Sequence, residues 1–271
     1  MGDSAITVVI PVWDHYVSYL PEAIESIGSD GSDVSIVVVD NASAAPVVTP
    51  PEASVVRASR RLSVGGARNL GLDSVASKYV VVLDADDKLL PGTLEFLRSR
   101  LDADPSVSVC ATSILDSDTG KRHRFPRKSV LLLSRWPRTF AALDCIWSLF
   151  PIQSCALLRT EQVRDAGGYA DADWGDDWVL AVSLAFRGRV EVHDRLGRYY
   201  RHTPESLWRR GRPHRELVAS ARLVRQRLRN DPAVPAWMRS ASPLVTVLQL
   251  AAIFMVRPPY LAARKLRGRS D

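Results

Sequence analysis

Three carboxylates stand close together in KYVVVLDADDKLLPG (78–92), where Asp84, Asp86 and Asp87 follow the apolar run YVVVL. A chain that buries such a run as a strand and releases acids at its end has placed negative charge at a sheet edge. That charge meets either a divalent cation or solvent, and a lone Asp-X-Asp also reads as a solvated turn. The surroundings add to it. Asp40 ends a second β-branched run, VSIVVVD (34–40), and between the two acids lies SVGGARNLGLD (63–73). Gly65 and Gly66 permit close backbone approach, and Arg68 and Asn69 follow at an expected helix start. Arginine offers a planar fork to a diphosphate. Oxygen ligands for a hard cation beside donors for phosphate suit a nucleoside diphosphate with Mg²⁺ or Mn²⁺.

These residues need a frame that brings strand ends together. ITVVIPV, VSIVVVD, SVVRAS (54–59), KYVVVLD (78–84) and SVSVCATSI (106–114) read as strands, the apolar ones as runs buried on both faces. Helical segments are expected around 19–28, 65–77 and 91–101, the last opening on Pro91. Strand and helix in alternation predict right-handed crossovers and a doubly wound α/β sheet, with ligands beyond the carboxyl ends of the strands. Residues 115–140 lose the pattern and read as a polar, basic surface excursion. Then come IQSCALLR as a strand, TEQVRDAGG as a short helix, and DADWGDDWVLAVSLAFRG, with Trp178, Val182 and Ala185 at helical spacing. RVEVH and GRYYRH read as two more short strands.

Composition bounds the rest. The 271 residues are 46 % hydrophobic and 24 % charged, as in a folded globular enzyme. Net charge is +6, unevenly placed: residues 207–271 hold 14 basic against 3 acidic residues, a net of +11, which leaves 22 against 27 before them, a net of −5. The basic tail therefore points to an anionic partner surface rather than to the site. Within it, Leu217, Ala221, Val224 and Leu228 share one helical face with arginines opposite. Residues 240–256 run 17 positions without charge, the lower limit for crossing a membrane; packing on a membrane surface or in a soluble core are the other readings. Cys110, Cys145 and Cys155 lack metal-ligand spacing and read as buried thiols of a reducing cytoplasm. MGDSAITVVIPVW has no basic start and too short an apolar run for a secretory signal, and Ile6 argues against myristoylation.

ITVVIPVWD, VVVDNAS, GGARNLGLDSVASKYVVVLDADD, GGYADADWGDDW and YYRHTPESL, in this order, resemble the family 2 glycosyltransferases of the GT-A fold. The resemblance covers about residues 5–206. It implies a Rossmann-like, mostly parallel sheet with flanking helices, a nucleotide-binding half at about 1–114 and an acceptor half at about 115–206, with 207–271 as a basic helical tail. It places Pro11, Val12 and Trp13 at the loop that walls the nucleotide base, although Trp13-Asp14 replaces a frequent Tyr-Asn. Asp40 stands where the family accepts a hydrogen bond from the base, typically uracil; an Asx-turn with Asn41 is the bland alternative. Gly66, Arg68 and Asn69 fall at the nucleotide and diphosphate contacts, and Arg68 also reads as a surface salt-bridge partner. Asp84, Ala85 and Asp86 match the Asp-X-Asp, the first acid on the ribose side and the second on the metal, with Asp87 behind them.

The resemblance further implies that one of the paired acids Asp176 and Asp177 is the general base that takes the acceptor proton, Asp177 being favoured and Asp176 orienting it. Helix N-terminal acids favouring the macrodipole are the structural alternative. Trp174 and Trp178 offer either a sugar-facing wall or core packing. His202 matches a late histidine that completes the metal site or touches the diphosphate. The implied reaction is a single inverting displacement, assisted by Mn²⁺ or Mg²⁺, from a UDP-sugar (GDP or dTDP being alternatives) to a lipid-linked, glycan or peptide hydroxyl. A cytoplasmic enzyme, peripheral on the inner face of the membrane, would fit the tail. A sugar nucleotidyltransferase would need a Gly-rich, Arg-containing loop that PVWDHYVSYL lacks. No nucleic acid is expected, since the tail holds no recognisable binding module. A non-catalytic membrane adaptor would leave Asp86, Asp177 and His202 unexplained.

Overall fold

The computed structural model describes residues 4–28, 33–123, 126–150, 152–203 and 214–267, with side chains in the last segment from 215 to 255. Its eight strands are β1 (Ile6–Val12), β2 (Val34–Asp40), β3 (Ala53–Arg57), β4 (Tyr79–Val82), β5 (Lys88–Leu89), β6 (Val107–Asp116), β7 (Ala156–Arg159) and β8 (Arg189–Tyr200). They form one sheet in the order β3-β2-β1-β4-β7-β6-β8-β5. The first four are parallel to one another, β7 is antiparallel to both β4 and β6, and β5 is antiparallel to β8.

The apolar runs are continuous because both sheet faces are covered. Val9, Val37, Val39, Val80 and Val82 face one core, under α2 (Val64–Leu72) and α7 (Asp176–Arg187). Ile6, Val8, Ile10, Ile36, Val38 and Val81 face the other, under α1 (Leu20–Gly28) and α3 (Thr93–Ala103). Alternate residues thus enter different cores, and the parallel register keeps each layer level, with Val9 opposite both Val37 and Val82.

Several elements differ from expectation. The helix expected at 65–77 ends at Leu72. The helix expected from Pro91 begins at Thr93, because Gly92 before it is left-handed at φ 71° and closes the preceding turn. RVEVH and GRYYRH are one strand, β8, whose register against β6 shifts between Ala111 and Ile114, so a bulge rather than a break separates them. The 115–140 excursion is partly helical: α4 (Lys128–Leu133) and α5 (Pro137–Ile146) follow β6, and Pro137 sits in the first turn of α5. α6 (Thr160–Asp165) follows β7.

The tail forms α8 (His214–Asn230), α9 (Ala236–Ser240) and α10 (Ser242–Arg267). Val224 and Leu228 of α8 pack with Trp178, Val179 and Val182 of α7 in a third cluster, alongside Val234 and Met238. Arg187 at the end of α7 makes a forked pair with buried Asp231, at 2.6 and 2.9 Å. α10 also packs on α5, where Gln249 Nε2 donates to the Cys145 carbonyl at 2.7 Å. Among the described residues no helix is long and apolar enough to cross a membrane. All three cysteines are free and buried.

Candidate active site

The acids Asp84, Asp86 and Asp87 lie in a tight turn at the carboxyl end of β4. The Asp87 amide donates to the Asp84 carbonyl at 2.9 Å, and the Asp84 amide to Ser154 Oγ at 2.9 Å. Ser154 is buried and left-handed at φ 58°, and its amide donates to the Val82 carbonyl at 2.6 Å, so it pins the turn to the end of its strand.

Two buried arginines flank this turn. Arg68 of α2 reaches Asp84 Oδ1 at 2.8 Å with one nitrogen and Asp176 Oδ2 at 2.6 Å with the other. Arg198 of β8 pairs with Asp87, stands 3.7 Å from Asp84 Oδ2 and donates to the Gln153 carbonyl at 3.1 Å. Burial alone would lower both guanidinium pKa values, but Asp176 and Asp84 raise that of Arg68, and Asp87 and Asp84 that of Arg198.

Asp86 has no such arginine partner among the described residues. Its Oδ2 accepts a long bond from Thr203 Oγ1 at 3.4 Å. Burial, then the neighbouring Asp87 and Asp84 carboxylates, pushes its pKa up to about 8. Burial also pushes Asp87 up, to about 6, against the pull of Arg198. A carboxyl crowded by like charge that Arg198 offsets only in part, with carboxylate and hydroxyl oxygens beside it, fits a hard divalent ion. Ala85, between the acids, is buried.

The second pair of acids opens α7. Gly175 before it is left-handed at φ 74°, and a Cβ there would lie 2.4 Å from Ser220 Oγ of α8, so the approach of α8 requires glycine. Asp176 is buried and tied to Arg68; burial, moderated by Arg68, pushes its pKa up to about 6. Asp177, the next residue, is half-exposed. Arg68 therefore joins the acid turn of β4 to the acid pair of α7, two motifs that begin 92 residues apart at Asp84 and Asp176.

The remaining expected residues occupy the same edge in different ways. Pro11 and Val12 are buried at the end of β1, opposite Val39 and Asp40. Trp13 follows, with the Arg61 guanidinium 4.0 Å from its ring centroid and Tyr16 edge-on at 4.9 Å. Asp40 is fully buried: its carboxylate accepts from the amides of Ser43 at 2.9 Å and Val47 at 3.2 Å, and pairs with Arg57. Burial pushes its pKa up, but those donors outweigh it and hold the group below the usual range. The turn it closes runs to Ser43 rather than through Asn41, whose side chain instead clasps the backbone of Leu62.

Gly66 donates its amide to Ser63 Oγ at 3.0 Å, capping α2. Asp171 and Asp173 bond Ser63 Oγ and the Val64 amide, so the positive end of α2 faces carboxylates of the loop before α7. Asn69, expected on the diphosphate, uses its Nδ2 and Oδ1 on the backbone of Tyr169, both at 2.9 Å, and so holds that loop. His202, expected at the metal, donates Nε2–H to Asp116 Oδ2 at 2.9 Å, while Arg201 and Thr203 on either side of it turn to Asp86 and Asp87. Trp178 is core, with its indole N–H on the Asp144 carbonyl at 2.6 Å, which removes the sugar-wall reading for it; Trp174 remains half-buried.

Sequence reasoning missed Arg198, Ser154 and Asp144. Asp144 is fully buried on α5; its Oδ1 accepts the Leu149 amide at 2.9 Å and its Oδ2 has no partner among the described residues. Burial, then Asp177, pushes its pKa up to about 8. An acid inside the apolar run FAALDCIW was the available signal. A further convergence of ligand atoms, Cys110, Glu191 and His193, lies toward the other end of β8. There Arg100 and Arg189 already neutralise Glu191, at 3.2 and 2.7 Å, and burial pushes the Cys110 thiol up to about 12, so the set does not suit a cation.

Against known proteins, the chain matches the family described as Glycosyl transferase family 2 over residues 7–167. It is 26 % identical over 213 residues to the succinoglycan biosynthesis protein ExoO of Rhizobium meliloti (strain 1021), covering 72 % of this chain and 60 % of that protein. It resembles S. aureus TarS 1–349 in complex with UDP at a TM-score of 0.67 and 17 % identity, covering 92 % of this chain and 71 % of that one. The same TarS segment in complex with UDP-GlcNAc gives 0.67 and 16 %, over 90 % and 71 %. At such identity the TarS likeness is one of fold: a mixed α/β GT-A architecture, with its mostly parallel sheet and flanking helices.

Proposed function

The chain belongs to glycosyl transferase family 2, and from that premise we propose that it transfers a sugar, with inversion, from a UDP-sugar to an acceptor hydroxyl. The observation that carries this reading is Arg68, which holds Asp84 and Asp176 at once and so sets a donor-side acid turn against an acceptor-side acid pair. TarS, of the same fold, is seen in complex with UDP and with UDP-GlcNAc, which supports uridine among the nucleotides.

In this reading Trp13, with Pro11 and Val12 behind it, frames the base. Asp40, held by the backbone and side chain of Ser43, the Val47 amide and Arg57, fixes the 43–47 loop beside the base, which would reach it by displacing one of these donors. Arg68 and Asp84 face the ribose and diphosphate. Gly66 keeps the start of α2 close, and Asn69 holds the Tyr169 loop in register. Asp86 and His202 would hold Mn²⁺ or Mg²⁺, for which His202 would exchange its bond to Asp116 for the ion. The cation, when bound, offsets charge on the departing diphosphate. Asp177 takes the acceptor proton, and Asp176, immobilised by Arg68, fixes the first turn of α7 from which Asp177 projects. The acceptor is a lipid-linked, glycan or peptide hydroxyl. A peripheral position on the cytoplasmic membrane face agrees with the basic tail and favours the lipid-linked class.

Thermal stabilisation by UDP, GDP and dTDP, with and without Mn²⁺, tests the donor site. A metal-dependent shift with UDP is expected. A shift with GDP or dTDP alone would reassign the base pocket, and no shift with any nucleotide would remove the donor-site reading.

A further inference from the structure

The corner where α8, α9 and α10 meet carries features that sugar transfer does not use. Arg225 and Arg229, one turn apart on α8, and Arg239 near the end of α9 line an open cleft of about 500 Å³ together with Ser242 and Pro243. A second cleft of similar size continues across Arg225 and Arg229 to Arg222. Among the described residues no carboxylate pairs with any of these four arginines. Nearby arginines are engaged instead: Arg187 of α7 with Asp231, and Arg227 of α8 with the carbonyls of Ala166 and Gly168. Like charges gathered on one wall are balanced by an anion. Guanidinium groups suit a phosphate in particular, through forked hydrogen bonds. Ser242, which lines the same cleft and opens α10, is fully buried with an Oγ that has no hydrogen-bond partner among the described residues. The positive end of that helix adds to the potential.

The occupant is amphiphilic. Beside the cleft, Trp237 is 70 % exposed, and Leu244, Val247 and Leu248, at helical spacing on one face of α10, are 61, 60 and 43 % exposed. The opposite face is seated, with Gln249 and Ile253 buried. An apolar face of this kind marks a partner. Arginines at its rim, in a segment of net charge +11, make that partner an anionic lipid surface rather than a protein.

We propose that this corner is a headgroup site for anionic phospholipid. Arg225, Arg229 and Arg239 hold the lipid phosphate beside Ser242, while Trp237 and the Leu244–Leu248 face rest at the acyl boundary, with α10 lying in the membrane plane. The site rests on the peripheral-membrane reading above and gives it an address and a lipid class.

The test is co-sedimentation of the full chain with phosphatidylcholine vesicles, with and without phosphatidylglycerol. The wild type binds the phosphatidylglycerol vesicles, and R225Q/R229Q/R239Q binds them on the order of a hundredfold more weakly. A control of equal charge change at exposed positions elsewhere, R60Q/R135Q/R195Q, keeps wild-type binding. W237A loses roughly tenfold. Unchanged melting temperatures show that each variant is folded. If the cleft variant binds as the wild type, or the control loses as much, the headgroup site is wrong while membrane association stands. If the wild type binds neither vesicle, both readings fall. If inorganic phosphate raises the wild-type melting temperature, the cleft variant abolishes that shift and vesicles do not compete, the ligand is free phosphate and the lipid assignment is overturned.

Discussion

The molecule uses arginine in two opposite ways. Around the acid turn of β4, Arg68 and Arg198 are each under 10 % exposed and each face two carboxylates. At the corner of α8, α9 and α10, Arg225, Arg229 and Arg239 line an open cleft with no carboxylate partner among the described residues. The first arrangement balances charge inside the protein and fixes geometry. The second leaves charge to be balanced from outside. Removing a cation from the first strands buried acids, whereas removing one from the second returns the surface to water.

That contrast sets the order of expected effects. R68M leaves buried Asp176 without its cation and Asp84 with only the more distant Arg198, and is expected to cost about 3–5 kcal/mol of folding stability, read by urea denaturation, together with all transfer activity. An R68M protein as stable as the wild type would show that the clamp is not structural. G175A forces a side chain into the left-handed backbone and against Ser220, and is expected to cost about 1–3 kcal/mol by the same measurement.

Asp144 sharpens the comparison, since it is a buried acid with no arginine partner among the described residues. Its folded pKa is raised, so the native state keeps a proton that the unfolded chain loses near pH 4. Its stabilising contribution is full below that pH and is lost as pH rises toward about 8. D144N, neutral throughout, is expected to flatten the fall of stability between pH 4 and 8, by at most about 1.4 kcal/mol per pH unit. Parallel pH profiles for the two proteins would show Asp144 charged in the native state. The smallest effect belongs to the corner: R225Q, R229Q and R239Q singly are expected to change stability by under about 0.5 kcal/mol. A loss near that of R68M would mean that these arginines are internal struts and would dissolve the contrast.

The legible parts of the fold were those that one physical requirement determines. β1, β2 and β4 are buried on both faces, so their composition marks them wherever their neighbours lie. The turn of Asp84, Asp86 and Asp87 could be read because it follows such a strand directly. α4 and α5 could not, being short helices at and after the end of the polar run DSDTGKRHRFPRKS that gain most of their order from packing on β8 and α7. β8 read as two strands because a bulge interrupts its apolar rhythm. Arg198 was invisible for a related reason: its reach to Asp87 depends on β8 pairing with both β6 and β5, which no local pattern encodes. The partners of His202 and Asn69, Asp116 and Tyr169, likewise come from segments some 86 and 100 residues away.

The central claim is that the acid pair of α7 divides its labour, Asp176 being locked to Arg68 and Asp177 left to take the acceptor proton. The direct measurement is D177N assayed twice, for donor binding by UDP-dependent thermal shift with Mn²⁺ and for turnover of the bound UDP-sugar onto acceptor. The account predicts an unchanged shift and a turnover reduced about 10²–10⁴-fold. Turnover at the wild-type level with the shift intact would contradict it and move the base elsewhere in the site.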